Sequence, residues 1–123
     1  MKTIIRTERV EGFFQRGRRI ARRLDQGQPM APERIIVYED PEDLAHILTA
    51  AKIALFRAVK ARPGSITDIA VRLGRDRSAV KRDLDDLVAA GLVQVEDKPH
   101  PGHGRRKEVR ATAEQVIIEA VLA

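Results

Sequence analysis

Cysteine and tryptophan are absent, and the aromatic residues are limited to Phe13, Phe14, Tyr38 and Phe56. Without cysteine there are no disulfides, thiolate metal centres or cysteine nucleophiles. So few flat side chains leave little for stacking unpaired bases, and the core must be built from Leu, Ile, Val and Ala. No apolar run approaches the roughly 20 residues of a membrane span. The basic N-terminus is not followed by the apolar stretch and small-residue cleavage site of a signal peptide. A cytoplasmic protein with no membrane partner is expected. Ser65 and Ser78 are the only serines, and both are accounted for by a helix cap and a helix face, so no hydrolytic triad is expected. Neither the Walker phosphate loop nor the dinucleotide glycine fingerprint occurs, so neither an enzyme nor a cofactor is implied. His100 and His103 lie three residues apart without a neighbouring carboxylate in their loop, and no metal is expected there.

The chain has 123 residues, of which 43% are hydrophobic and 33% charged, with a formal net charge of +5. That composition suits one folded domain with short appendages and favours a polyanionic partner without naming it. The charge is unevenly spread. Residues 1–27 hold 8 basic and 3 acidic side chains, whereas 28–50 hold 1 and 5. Proline and glycine cluster at 27–32, 63–64 and 99–104, marking three joints. The expected division is therefore 1–32, a basic helix and linker, followed by 33–123, the main folded domain with short terminal strands.

In the first segment Val10, Phe13, Gly17, Ile20 and Leu24 recur at helical spacing, with arginines on the other faces, and Gly27 stops the helix. Phe13 and Phe14 are expected in the core or at a dimer contact. Left exposed, that stripe would indicate a partner surface. The β-branched run Ile35–Tyr38 predicts a strand. Asp40, Pro41, Glu42 and Asp43 then form a helix start, with a helical pattern running to about Arg62 and a possible restart capped by Thr49. Ser65 and Asp68 begin a short helix closed by Gly74. A further helix starts at Asp76 or Arg77, carries Val80, Leu84, Leu87 and Val88 as its apolar stripe, and stops at Gly91. Alternation at Val93 and Val95, and again at Val109 and Ala111, predicts a hairpin. Beyond it, Thr112 and Gln115 permit a capped helix, but Val116, Ile117 and Ile118 favour a strand.

The predicted fold is mainly α with a small β-hairpin: a winged helix-turn-helix with an N-terminal basic helix. In that arrangement the second helix of the pair enters the major groove. Its outward face presents Arg77, Ser78, Lys81, Arg82 and Asp85; with Arg75 just before the helix, Arg77, Ser78, Lys81 and Arg82 are the expected DNA-binding residues, of which Ser78, Lys81 and Arg82 are expected to read bases. Asp76, Asp83, Asp85 and Asp86 lie on the same segment, so a merely solvated, charge-balanced face is the competing possibility. The loop between the strands carries Lys98, His103, Arg105, Arg106 and Lys107 among turn-forming Pro and Gly, the residue types of a wing on phosphates or in a minor groove.

The runs PGSITDIAVRLGRDRSAVKRDLDDLVAAGLV and PGHGRRK resemble MarR-type winged-helix transcriptional regulators, in particular small prokaryotic members with a basic N-terminal helix. The resemblance implies a sequence-specific DNA-binding regulator, here a repressor, acting as a homodimer on double-stranded DNA. It sets the recognition helix on Arg77–Ala90 and the wing on Lys98–Arg105. The family dimerises through long helices on both sides of the DNA-binding core, and the segment after Ala111 is too short for the second. The N-terminal helix, or strands near Ile35–Glu39 and Val116–Ala120, must supply that contact. Two alternatives stand beside this: an antitoxin-type module holding a toxin partner, as some small members do, and an RNA-binding winged helix.

Overall fold

The computed structural model describes residues 1–29, 32–102 and 104–122, with only the backbone described at Val10 and His100. The element order is β1 (Lys2–Thr7), α1 (Val10–Asp25), β2 (Glu33–Tyr38), α2 (Pro41–Ala45), α3 (Ala50–Ala61), α4 (Ile66–Leu73), α5 (Arg77–Ala89), β3 (Val93–His100), β4 (Gly104–Ala111) and β5 (Gln115–Glu119). These form two compact units, one of Met1–Ala45 with Gln115–Ala123, the other of His46–Glu114. The chain thus divides at 45/46 and 114/115, where the sequence suggested 32/33.

In the first unit β1, β2 and β5 make a parallel sheet in the order β2-β1-β5. Parallel neighbours need a crossover, which α1 supplies between β1 and β2. Register partners carry opposite charges along this sheet: Lys2 reaches Glu33 at 3.6 Å and Arg6 reaches Glu119 at 2.6 Å. β1 is an addition to the expected elements: Thr3, Ile4, Ile5 and Thr7 are β-branched like the run at Ile35–Tyr38, and β2 and β5 flank the strand on either side. The strand at β5 is as expected, and so is the one at β2. Of the two places expected for Phe13 and Phe14, the core is excluded: Phe13, Phe14 and Leu24 are exposed by 48%, 56% and 60%.

The second unit is a winged helix-turn-helix. Thr49 accepts the Lys52 N–H at 3.2 Å and so restarts the chain as α3, separate from the one-turn α2. Ser65 accepts the Asp68 N–H at 3.1 Å to start α4, which Gly74 ends in the left-handed region at φ 62°. Helices α3, α4 and α5 pack on one another and on the β3–β4 hairpin around Leu55, Val59, Ile69, Val80, Leu84, Leu87 and Val109, all essentially inaccessible. Val88, expected in the apolar stripe of α5, is exposed. Gly64 pairs with Val109 through two backbone bonds, of 3.3 and 2.7 Å, which ties the α3–α4 joint to the hairpin. Thr112 Oγ1 donates to the carbonyls of Gly91 and Leu92, closing the other end of the hairpin onto the turn after α5. Among the described residues, no helix is long and apolar enough to cross a membrane.

Leu84 sits at the centre of the α5 face that the other helices cover. Leu84→Ala is expected to lower stability by about 2–5 kcal/mol, the range for a leucine cavity in a core that collapses incompletely. Urea unfolding followed by circular dichroism measures it.

Candidate nucleic-acid interface

Helix α5 begins at Asp76, whose carboxylate accepts the backbone N–H groups of Ser78 and Ala79 at 3.2 and 3.4 Å. The Ser78 hydroxyl donates to the same oxygen. These bonds, the hydroxyl first, hold the Asp76 carboxyl below its ordinary pKa. Val80, Leu84 and Leu87 face the core. At 3.6 residues per turn this turns Arg77, Ser78, Lys81, Arg82 and Asp85 together toward solvent, and all five are exposed.

The acidic residues of the segment have separate destinations. Asp83 pairs with Arg75 at 2.8 Å. Asp86 pairs at 2.9 Å with Lys52 Nζ, a side chain of α3 whose residue is only 4% exposed. Lys52 Nζ also donates to the His46 carbonyl at 2.8 Å, and His46 Nε2 lies 3.5 Å from Asp86. The Lys52 contact comes first among the causes that lower the Asp86 pKa. Only Asp85 stays on the outward face, in an exposed pair with Lys81 at 2.6 Å, the kind that contributes little and opens readily. Arg77 Nε donates to Thr67 of α4 at 3.2 Å. Of the five recognition-helix residues predicted, Lys81 and Arg82 thus present the outward charge, Arg77 and Ser78 border it in the first turn, and Arg75 is committed to Asp83.

The wing differs from the expected loop. Strands β3 and β4 run to His100 and from Gly104, so Lys98, Arg105, Arg106 and Lys107 lie on strands, with a turn at Pro101 and Gly102. His103 falls outside the described residues. Because side chains alternate across a strand, Arg105 and Lys107 point to one face, and Lys98 and Arg106, which are register partners, to the other. On that second face Glu96 lies opposite Glu108, and Arg110 reaches both, at 3.8 and 2.6 Å. Toward the tip the like-charged pair Lys98 and Arg106 has Glu96 at 3.0 Å and Asp68 at 3.4 Å. Like charges directly opposed are unfavourable, and here each cation has a carboxylate beside it. An open cleft of about 390 Å³ beside Arg106 is lined by Arg62, Pro63, Asp68, Val71 and Arg72. Arg62 and Arg72 at this cleft, and Lys52 beneath α5, carry no signal in the sequence, since none belongs to a local pattern. Asp68 is held below its ordinary pKa first by the Ser65 hydroxyl, and also by Arg106 and Arg72.

The family model HVO_A0114 matches residues 47–118, more than half of the chain. The chain belongs to the HVO_A0114 family. That match takes in the whole helix-turn-helix, the wing and most of β5. No curated protein matches the sequence. Among solved structures, a possible transcriptional regulator from Methanosarcina mazei Go1 is similar at 19% identity, TM-score 0.48, over 60% of this chain and 67% of that one. A MarR family transcriptional regulator from Silicibacter pomeroyi DSS is similar at 17% identity, TM-score 0.48, over 86% and 60%. The protein RV1404 from Mycobacterium tuberculosis is similar at 21% identity, TM-score 0.46, over 87% and 66%. This member of the HVO_A0114 family spans 60 to 67% of the length of these three solved chains.

Three carboxyls, Asp68, Asp76 and Asp86, have folded pKa values below the ordinary one. A depressed carboxyl contributes stability that is present above its unfolded pKa and is lost as pH falls through the folded one. Stability is therefore expected to decline below about pH 4. In the triple variant Asp68→Asn, Asp76→Asn, Asp86→Asn, the difference between urea midpoints at pH 7 and pH 3 should be smaller than in the parent, even if the variant starts lower. An unchanged difference contradicts the assignment.

Proposed function

We propose that this protein is a sequence-specific DNA-binding transcriptional regulator, acting as a homodimeric repressor at promoter DNA, with α5 in the major groove and the β3–β4 hairpin on the backbone or in a minor groove. The observation that carries this reading is the way charge is sorted on α5. Three of its four neighbouring carboxylates are taken up in a cap and two ion pairs, leaving an outward face of Arg77, Lys81 and Arg82 against Asp85 alone. A merely solvated surface gains nothing from that sorting. Lysine and arginine on such a face can donate to guanine O6 and N7. The opposed Lys98 and Arg106 on one face of the hairpin, with Arg105 and Lys107 on the other, supply further phosphate contacts.

Fluorescence anisotropy on the DNA upstream of its own gene, against scrambled duplex of equal length at two salt concentrations, tests the reading. A preference of about a thousandfold or more is expected for a specific site. Equal binding to both duplexes, or to neither, rejects it. Lys81→Ala with Arg82→Ala should leave circular dichroism unchanged and remove most of the preference, at about 1–3 kcal/mol for each lost base contact. Arg105→Ala should instead weaken binding to both duplexes alike and reduce the slope of log affinity against log salt by about 0.9 for one lost phosphate contact.

A further inference from the structure

The two faces of β1 are finished differently. Thr3 and Ile5 point to one face and are fully buried, whereas Lys2, Ile4 and Arg6 alternate onto the other, with their register partners Glu33 and Ile35 of β2. A crossover helix ordinarily lays an aliphatic stripe on such a face. Here the cleft between α1 and the sheet, of about 210 Å³, receives Ile20 from the helix together with Arg16, Arg19 and Arg23, and Arg6 joins them from β1. Glu33 is the one carboxylate in that lining. The aliphatic remainder, Ile4, Ile20 and Ile35, offers no hydrogen-bonding group, so anything held there is held by guanidinium.

Arginine stems often cover apolar surface while the heads stay in water. That does not describe this cluster. The Arg16 side chain is only 12% exposed, and the Nε–H groups of both Arg6 and Arg16 are shielded from solvent without an acceptor. A donor left in that condition is costly, and an anion removes the cost. The nearby carboxylates are already matched: Glu119 by Arg6 at 2.6 Å, Glu8 by Arg16 at 2.9 Å, and Glu33 by Lys2 at 3.6 Å. Arg23 has only the neutral side-chain carbonyl of Gln28, at 3.2 Å, and Arg19 has no ion pair among the described residues. Two positive charges are therefore left over at the cleft. The unit as a whole, 1–45 with 115–123, holds 9 basic and 9 acidic residues and is neutral, so this excess is local; the +5 of the chain belongs to 46–114.

We propose that this cleft is a binding site for a small phosphorylated molecule, whose phosphoryl dianion is held by Arg19 and Arg23 and by the Nε–H groups of Arg6 and Arg16. Guanidinium forks match phosphoryl oxygens two at a time, and a dianion balances both surplus charges where a single carboxylate balances one. The size of the cleft selects a small molecule, since a DNA duplex has no room between a helix and its sheet. All of the residues lie outside the winged-helix unit, so the site stands or falls apart from the DNA-binding reading.

NMR of the arginine Nε–H signals of the full chain, titrated with inorganic phosphate at neutral pH and constant ionic strength, tests the proposal. Saturable shifts at Arg6 and Arg16 are expected with a Kd of about 1 mM or tighter. Chloride should produce none, and the signal of Arg57, exposed on α3, should stay still. Arg19→Gln with Arg23→Gln leaves the three ion pairs in place; it should weaken binding by about tenfold or more with circular dichroism unchanged. Arg19→Lys with Arg23→Lys, which keeps the charge and loses the fork, should weaken it less. No saturation by phosphate, equal shifts at Arg57, or affinity indifferent to the glutamine substitutions overturns the proposal. So does a response of Arg6 and Arg16 to a short DNA duplex or to phosphatidylglycerol vesicles where inorganic phosphate has no effect.

Discussion

A lysine with almost no access to water must have its charge met inside the protein, and Lys52 has it met by Asp86 of α5 and the carbonyl of His46. That requirement orders the winged-helix unit. It draws one carboxylate of α5 under the helix and onto α3, while Asp83, on the neighbouring flank, is drawn to Arg75 before the helix begins. Asp76 is consumed as the N-cap. The helix is therefore held by its acidic residues and by Val80, Leu84 and Leu87, and what remains outward is cationic. The same interactions that stabilise the fold create the face that the proposed function needs.

The hairpin obeys a parallel logic with strand geometry in place of helix geometry. Antiparallel pairing sets Glu96 against Glu108 and Lys98 against Arg106. The first pair is relieved by Arg110, and the second has only single carboxylates at its sides. Two backbone bonds between Gly64 and Val109 fix the base of the hairpin against the joint before α4, so the tip projects from a rigid origin.

The two compact units carry different kinds of surface. One has excess positive charge and a buried aliphatic core beneath it; the other is neutral, with paired charges along a small parallel sheet and exposed aromatic rings on a helix. Electrostatic attraction acts at long range and suits a polyanion, whereas guanidinium groups enclosed between a helix and a sheet act through short, directed hydrogen bonds and suit a small anion.

The helix starts at Thr49, Ser65 and Asp76, the stop at Gly74, the aliphatic stripe of α5 and the alternation at Val93 and Val109 were all legible in the sequence, because caps, stops and periodicity are set by residues within one or two turns of each other. So were the winged helix and the residues that form its outward face. The strand β1 carries a local β-branched signal at Thr3, Ile4, Ile5 and Thr7, but its central place in a parallel sheet depends on partners that lie more than 25 and more than 100 residues away. The separation of three consecutive cations at 105–107 onto two faces depended on how far the hairpin pairing extends. The destinations of Asp83 and Asp86, the burial of Lys52, and the exposure of Phe13 and Phe14 were likewise decided only in three dimensions. Local sequence determines which element forms and which side of it is apolar; which charges meet, and which apolar side is left without a partner, depends on residues distant in the chain.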